Sequence, residues 1–155
     1  MRIDLDRIPP EGLTLEGDEP DCELDWDRGA VVQTAGPVHY KLVAQLVTGE
    51  LLVDGRLDVP ASLKCARCAE FYGAEIVEPA YHYDQAVTDL TASVDLTEDM
   101  REAMILAFPP YPLCEAGCKG LCPRCGANLN RDTCDCDTPD DDGRWSALDT
   151  LDGLT

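Results

Sequence analysis

The chain has 155 residues, 45% of them hydrophobic, which is enough for one ordinary domain with a core and too many for wholesale disorder. The 12 Lys and Arg stand against 31 Asp and Glu, and the resulting net charge of −19 argues against a broad nucleic-acid grip, since phosphate binding needs a basic face. Nine cysteines are the other outlier.

The opening Met1–Asp6 has no basic segment followed by an apolar run, so no secretory signal is expected. No stretch approaches the ~18 apolar residues of a membrane span. A cytoplasmic location is the expectation, and in that reducing compartment clustered cysteines point to metal before disulfides. Residues 1–28 are acidic, and Pro9-Pro10, Gly12 and Gly17 oppose long helices. Ile3 and Leu5, then Leu13 and Leu15, alternate with polar neighbours and predict short edge strands. Tyr40, Leu42, Ala44 and Leu46 alternate through a clear strand, which Thr48-Gly49 turns into a second one over Leu51–Asp58, with Asp54-Gly55 marking a turn or bulge. Phe71–Tyr83 alternates again, and Pro79 makes it an edge strand or a split one.

One helix is expected from about Leu96 to Phe108, capped by Asp95 with Glu98 three residues later completing a capping-box-like pair, and stopped by Pro109-Pro110. Its stripe of Leu96, Met100, Ala103, Met104 and Ala107 should pack on the sheet. Asp132–Asp142 reads as a solvated acidic connector, and Trp145, Leu148 and Leu151 share a face of a short final helix. The fold class is therefore α+β and β-rich. An antiparallel sheet with the helix at 95–108 fills residues 1–113, a cysteine-rich module 114–136, and the connector with its helix 137–155.

Cys65-Ala66-Arg67-Cys68 falls where a strand would end, and Cys114, Cys118, Cys122, Cys125, Cys134 and Cys136 follow the helix. A CxxC turn lets two thiolates reach one metal, and a tetrahedral site needs two such pairs. Cys122-Pro123-Arg124-Cys125-Gly126 is the stronger knuckle, because Gly126 tolerates positive φ and lets backbone N–H groups face the sulfurs. With Cys134-Asp135-Cys136 it makes one four-cysteine site; Cys65, Cys68, Cys114 and Cys118 make the other, and Cys22 is left over. A rival division joins Cys114, Cys118, Cys122 and Cys125, leaving Cys65, Cys68, Cys134 and Cys136. Two zinc ions per chain are expected, and the non-local site would tie the sheet to the C-terminal module at a modest loop-closure cost.

Four thiolates leave no open coordination position, so these are structural sites and no enzyme is expected. His39 and His82 are lone residues in strand-like contexts and are not read as general bases. Lys64, Arg67, Lys119, Arg124 and Arg131 surround the cysteines. They either compensate the thiolates or form a small basic patch for RNA or protein.

The run Pro109-Pro110-Tyr111-Pro112-Leu113-Cys114 and then Cys118-Lys119-Gly120-Leu121-Cys122-Pro123-Arg124-Cys125-Gly126-Ala127-Asn128-Leu129-Asn130 resembles the YceD family of large ribosomal RNA subunit accumulation proteins. Leu63–Cys68, Asp95-Leu96, Cys134–Cys136, the Arg144–Leu148 ending and even Ile8–Leu13 fit the same layout. Members lacking the later cysteines keep equivalents of Cys65, Cys68 and the pair near Cys114 and Cys118, which favours the first division. The resemblance implies a non-enzymatic role in ribosomal RNA accumulation and large-subunit assembly. With the acidic charge, the expected partner is a basic ribosomal protein or a precursor particle. Direct binding of precursor RNA through the basic cluster is the alternative, and a thiol or iron redox carrier a third.

Overall fold

The computed structural model describes residues 1–20, 32–34 and 36–136. Cys22, the acidic connector beyond residue 136 and the final helix expected around Trp145 lie outside the described residues.

Seven strands and one α-helix build the described chain: β1 (Arg2–Asp4), β2 (Leu13–Glu19), β3 (Val32–Thr34), β4 (Val38–Val47), β5 (Glu50–Lys64), β6 (Phe71–Ala86), β7 (Ser93–Asp95) and α1 (Thr97–Ala107), with a 3-10 turn over Leu5–Arg7. All pairing is antiparallel. The main sheet runs β2-β4-β5, with β3 continuing the line of β4 along one side of β5 and β6 pairing its other side; β1 and β7 form a separate ribbon.

The alternation in β4 works as its sequence predicts. Val38, Leu42 and Ala44 are fully buried, while Lys41, Val43 and Gln45 face out. Thr48 and Gly49, both at positive φ, form the two-residue turn whose twist suits a hairpin. β5 is much longer than the expected Leu51–Asp58 and runs straight through Pro60. Pairing with β4 ends at Asp58 and pairing with β3 begins at Ala61. Pro60 thus stands in the gap between the two, against Gly36, and its missing N–H breaks no ladder bond to either.

The expected irregularity near Gly55 is a β-bulge. Gly55 pairs Tyr81 but Leu57 pairs Glu78, so Pro79 and Ala80 together oppose Arg56. The extra residue lies on β6, where Pro79 has no N–H to offer the ladder and the Ala80 N–H donates instead to Glu78 Oε1 at 3.0 Å. On the opposite side of β5, Gly55 lies against β4: a Cβ there would sit 2.1 Å from the Lys41 carbonyl oxygen.

α1 packs on β6 and β5 and seals the core. Leu96, Met100 and Met104 are fully buried, with Ala103 and Ala107 packed against the same cluster as Leu42, Leu51, Leu57 and Ile76. The helix starts one residue later than the cap position assigned to Asp95 implies. Asp95 Oδ1 instead accepts from the Thr97 N–H at 3.0 Å and its hydroxyl at 2.6 Å, and Arg2 Nε donates to Oδ2 at 3.0 Å. Glu98 does not close a capping box but lies 3.7 Å from Arg101. The Thr97 and Arg2 donors hold the Asp95 carboxyl well below its ordinary pKa. Asp95→Ala should cost about 1 kcal/mol and lower the melting temperature by about 2–4 °C. Because the folded pKa is depressed, that contribution is full above the ordinary carboxylate range and is lost as pH falls below that range through the depressed folded value, so the difference between variant and parent should shrink only in strongly acid melts.

Candidate metal centres

The loop joining β5 to β6 is the first knuckle. Cys65 N–H donates to the Glu70 carbonyl at 2.8 Å, and Ala69 N–H to the Cys65 carbonyl at 3.0 Å, with Ala69 itself at φ +59°. The turn aims the Arg67 N–H at Cys65 Sγ, 3.4 Å away. After α1 the chain returns to this loop, where Ala66 N–H donates to the Pro112 carbonyl at 2.8 Å and places Cys114 and Cys118 over the knuckle. Arg67 completes the join, its guanidinium donating to the Cys118 carbonyl at 3.0 Å.

Cys65, Cys68, Cys114 and Cys118 thereby converge, as do Cys122, Cys125, Cys134 and Cys136, with the sulfurs of each set all within 4.8 Å of one another. This is the first of the two divisions; the rival set is not brought together. Cys65, Cys68 and Cys118 are buried under Tyr72 and Leu113, whereas Cys125 is exposed and Cys134 and Cys136 are half-buried. The second knuckle closes through Cys122 N–H to the Ala127 carbonyl (2.8 Å) and Gly126 N–H to the Cys122 carbonyl (2.9 Å), with Gly126 at φ +75°.

The donor sets fit a tetrahedral thiophilic ion. Bonds of ~2.3 Å from zinc to sulfur put the edges of the tetrahedron at about 3.8 Å, and the Cys65–Cys118 and Cys68–Cys114 sulfurs are each 3.8 Å apart. Burial pushes the Cys65 thiol up, but the backbone N–H groups of Cys68, Cys114 and Arg67 outweigh it and bring it to about 6. Cys114 is driven the other way, to about 12, by desolvation and then by the neighbouring thiols of Cys118, Cys65 and Cys68. The second set repeats the contrast. Backbone N–H groups of Cys125 and Arg124 lower Cys122 to about 6, and Cys125 followed by desolvation raises Cys136 to about 12. A thiolate already favoured, beside thiols that resist a second negative charge, is the electrostatic profile a divalent cation relieves.

The basic residues fare unequally. Arg67 is spent on Cys118, and Arg131 lies 3.5 Å from Glu70. Lys64 stands opposite Phe71 at the end of the β5–β6 ladder, and Lys119 and Arg124 are exposed. His39 and His82 both lie on the solvent face of the sheet, paired with Asp18 and Asp54. Sequence reasoning missed Asn130, whose Nδ2 donates to Cys118 Sγ at 3.3 Å. Cysteine spacing carries no signal for it.

The profile of the family described as "Large ribosomal RNA subunit accumulation protein YceD" matches residues 74–152, just over half of the chain. The chain belongs to the YceD family. That match takes in most of β6, all of α1 and six of the eight clustered cysteines, but begins after Cys65 and Cys68. An uncharacterized protein of Mycobacterium leprae is 24% identical over 81% of this YceD-family chain and 64% of its own length. One of Mycobacterium tuberculosis is 28% identical over 66% of the chain and 54% of its own. A chloroplast protein of Arabidopsis thaliana, named as YCED homolog 1 among large ribosomal RNA subunit accumulation proteins, is 34% identical over 37% of the chain and 18% of its own. The chain thus spans 64% or less of the length of these relatives. No solved structure matches it.

Proposed function

We propose that this YceD-family protein supports the accumulation of large-subunit ribosomal RNA as a non-enzymatic assembly factor of the cytoplasm, with two zinc ions as structural staples and a basic ribosomal protein, alone or on a precursor particle, as its partner. Family membership supports the role. The observation that supports the mechanism is the pair of four-cysteine clusters, in each of which four sulfurs lie close enough to fill the coordination of one tetrahedral ion, as structural rather than catalytic zinc sites do. Charge supports the partner. At −19 the chain attracts a basic protein and repels naked RNA. Of the five cations that would make an RNA patch, Arg67 is committed to the Cys118 carbonyl and Arg131 is ion-paired with Glu70 at the surface.

Gradient sedimentation of a lysate carrying the tagged protein, with and without RNase, tests this. The expected result is co-migration with large-subunit precursors, and a complex with a basic protein that survives RNase. Loss of every partner on RNase treatment would transfer the role to direct RNA binding. A protein that stays at the top of both gradients would remove the assembly reading.

A further inference from the structure

The two cysteine clusters meet at a junction of backbone and side-chain hydrogen bonds. Leu121 N–H donates to the Arg67 carbonyl at 3.1 Å, and Leu129 N–H to the Gly120 carbonyl at 2.9 Å, so the segment carrying the second cluster lies across the first knuckle. Into this junction projects Asn130. Its Oδ1 accepts the Lys119 N–H at 2.7 Å, while its Nδ2 reaches both Cys118 Sγ at 3.3 Å and Asn128 Oδ1 at 3.0 Å. The orientation of the carboxamide is fixed, because a backbone N–H can only donate and the oxygen must face Lys119. Asn128 holds it from behind: its Oδ1 also accepts the Asn130 N–H at 3.1 Å, and its carbonyl accepts from Arg131 and Asp132 at 3.0 and 2.8 Å.

Asn130 lies between Cys125 and Cys134, two members of the second cluster, yet its donor points at a sulfur of the first. We propose that Asn130 is a positioning residue that couples the two centres. An ion bound by Cys122, Cys125, Cys134 and Cys136 anchors both ends of the segment that carries Asn130. The N–H it presents to Cys118 withdraws charge from a buried sulfur in a set of four thiolates, which favours the ion held by Cys65, Cys68, Cys114 and Cys118. Partners of this kind around metal ligands alter affinity by about 10–100-fold. The coupling is reciprocal, so filling the first centre strengthens the second by the same factor.

This inference rests on reading the clusters as metal centres, so the test begins with stoichiometry. The full reduced chain is titrated with Zn2+ against a competing chelator. Occupancy is followed by NMR at the Arg67 amide for the first centre and the Gly126 amide for the second. Two ions on the parent chain support the metal reading; none would overturn it and the coupling together. Given two, Cys125→Ser combined with Cys134→Ser should weaken the first centre about 10–100-fold. Asn130→Ala should reproduce that loss while both ions still bind, and adding it to the cysteine double variant should cost nothing more. Asn130→Asp keeps the oxygen that serves Lys119 but sets another oxygen against Cys118 Sγ, and should weaken the first centre at least as far. With Co2+ in place of Zn2+, the thiolate-to-metal charge-transfer band of the first centre should shift in both Asn130 variants. First-centre affinity within twofold of the parent in Asn130→Ala and Asn130→Asp, or losses that simply add, would overturn the coupling while leaving two metal centres intact.

Discussion

Cys65→Ser should remove one of two bound metal ions and lower the melting temperature by about 10 °C or more. The expectation follows from where Cys65 sits. It is 2% exposed, at the end of β5, and its sulfur lies 3.8 Å from that of Cys118, on the far side of β6, β7 and α1 in the chain. A structural zinc site contributes apparent binding of roughly 10–16 kcal/mol. Forfeiting even a third of it, on the order of 4 kcal/mol, corresponds to about 10–15 °C in a chain of this size. Serine would also leave the N–H of Arg67 aimed at a poorer partner. Metal analysis beside a thermal melt decides the matter. A variant with the full complement of metal and parental stability would show that the link between hairpin and C-terminal segment carries no weight.

The second large effect concerns one hydrogen atom. Gly55→Ala should destabilise the protein by about 2–3 kcal/mol, or about 4–12 °C. The added methyl would meet the Lys41 carbonyl oxygen at 2.1 Å, Leu42 Cα at 2.8 Å and Leu42 Cδ2 at 2.9 Å. Two of those atoms are backbone in the centre of the sheet, so no side-chain rotation relieves the clash and β4 must move away from β5. Gly73→Ala provides the control, since it lies in the same sheet with nothing within 4 Å of the new methyl and should melt with the parent. Equal stability of the two variants in a denaturant series would show that β4 and β5 do not approach this closely.

Much of this architecture can be read directly along the chain, because local rules and tertiary demands agree there. The alternation of Tyr40–Leu46, the Thr48-Gly49 turn, the break at Gly55 and the edge position of the Pro79 strand each follow from pleat geometry and from what Gly and Pro cannot or need not do. The cysteine division was open between two patterns of similar spacing; it is decided by the return of the chain after α1, where the Pro112 carbonyl meets Ala66. Other features are invisible locally for physical reasons. Pro60 is tolerated inside β5 because β3 and β4 leave a gap at that position, which only the assembled sheet shows. Asp95 serves the helix from outside its cap position, a choice made by Arg2 on the neighbouring strand as much as by Thr97. The reach of Asn130 to Cys118 depends on two loops meeting, and no periodicity encodes that.

The bulge in β6 has a bearing on behaviour at high concentration. Among the described residues β6 pairs only with β5, so this strand of 16 residues turns a long row of backbone donors and acceptors away from its neighbour. A row that long and regular would be a template on which a second copy could add its own strand, the first step toward aggregation. The offset at Pro79 and Ala80 divides the row in two, and Glu75 and Glu78 set negative charge beside the break in a protein already at −19. The irregularity that complicates pairing inside the sheet thus discourages pairing outside it.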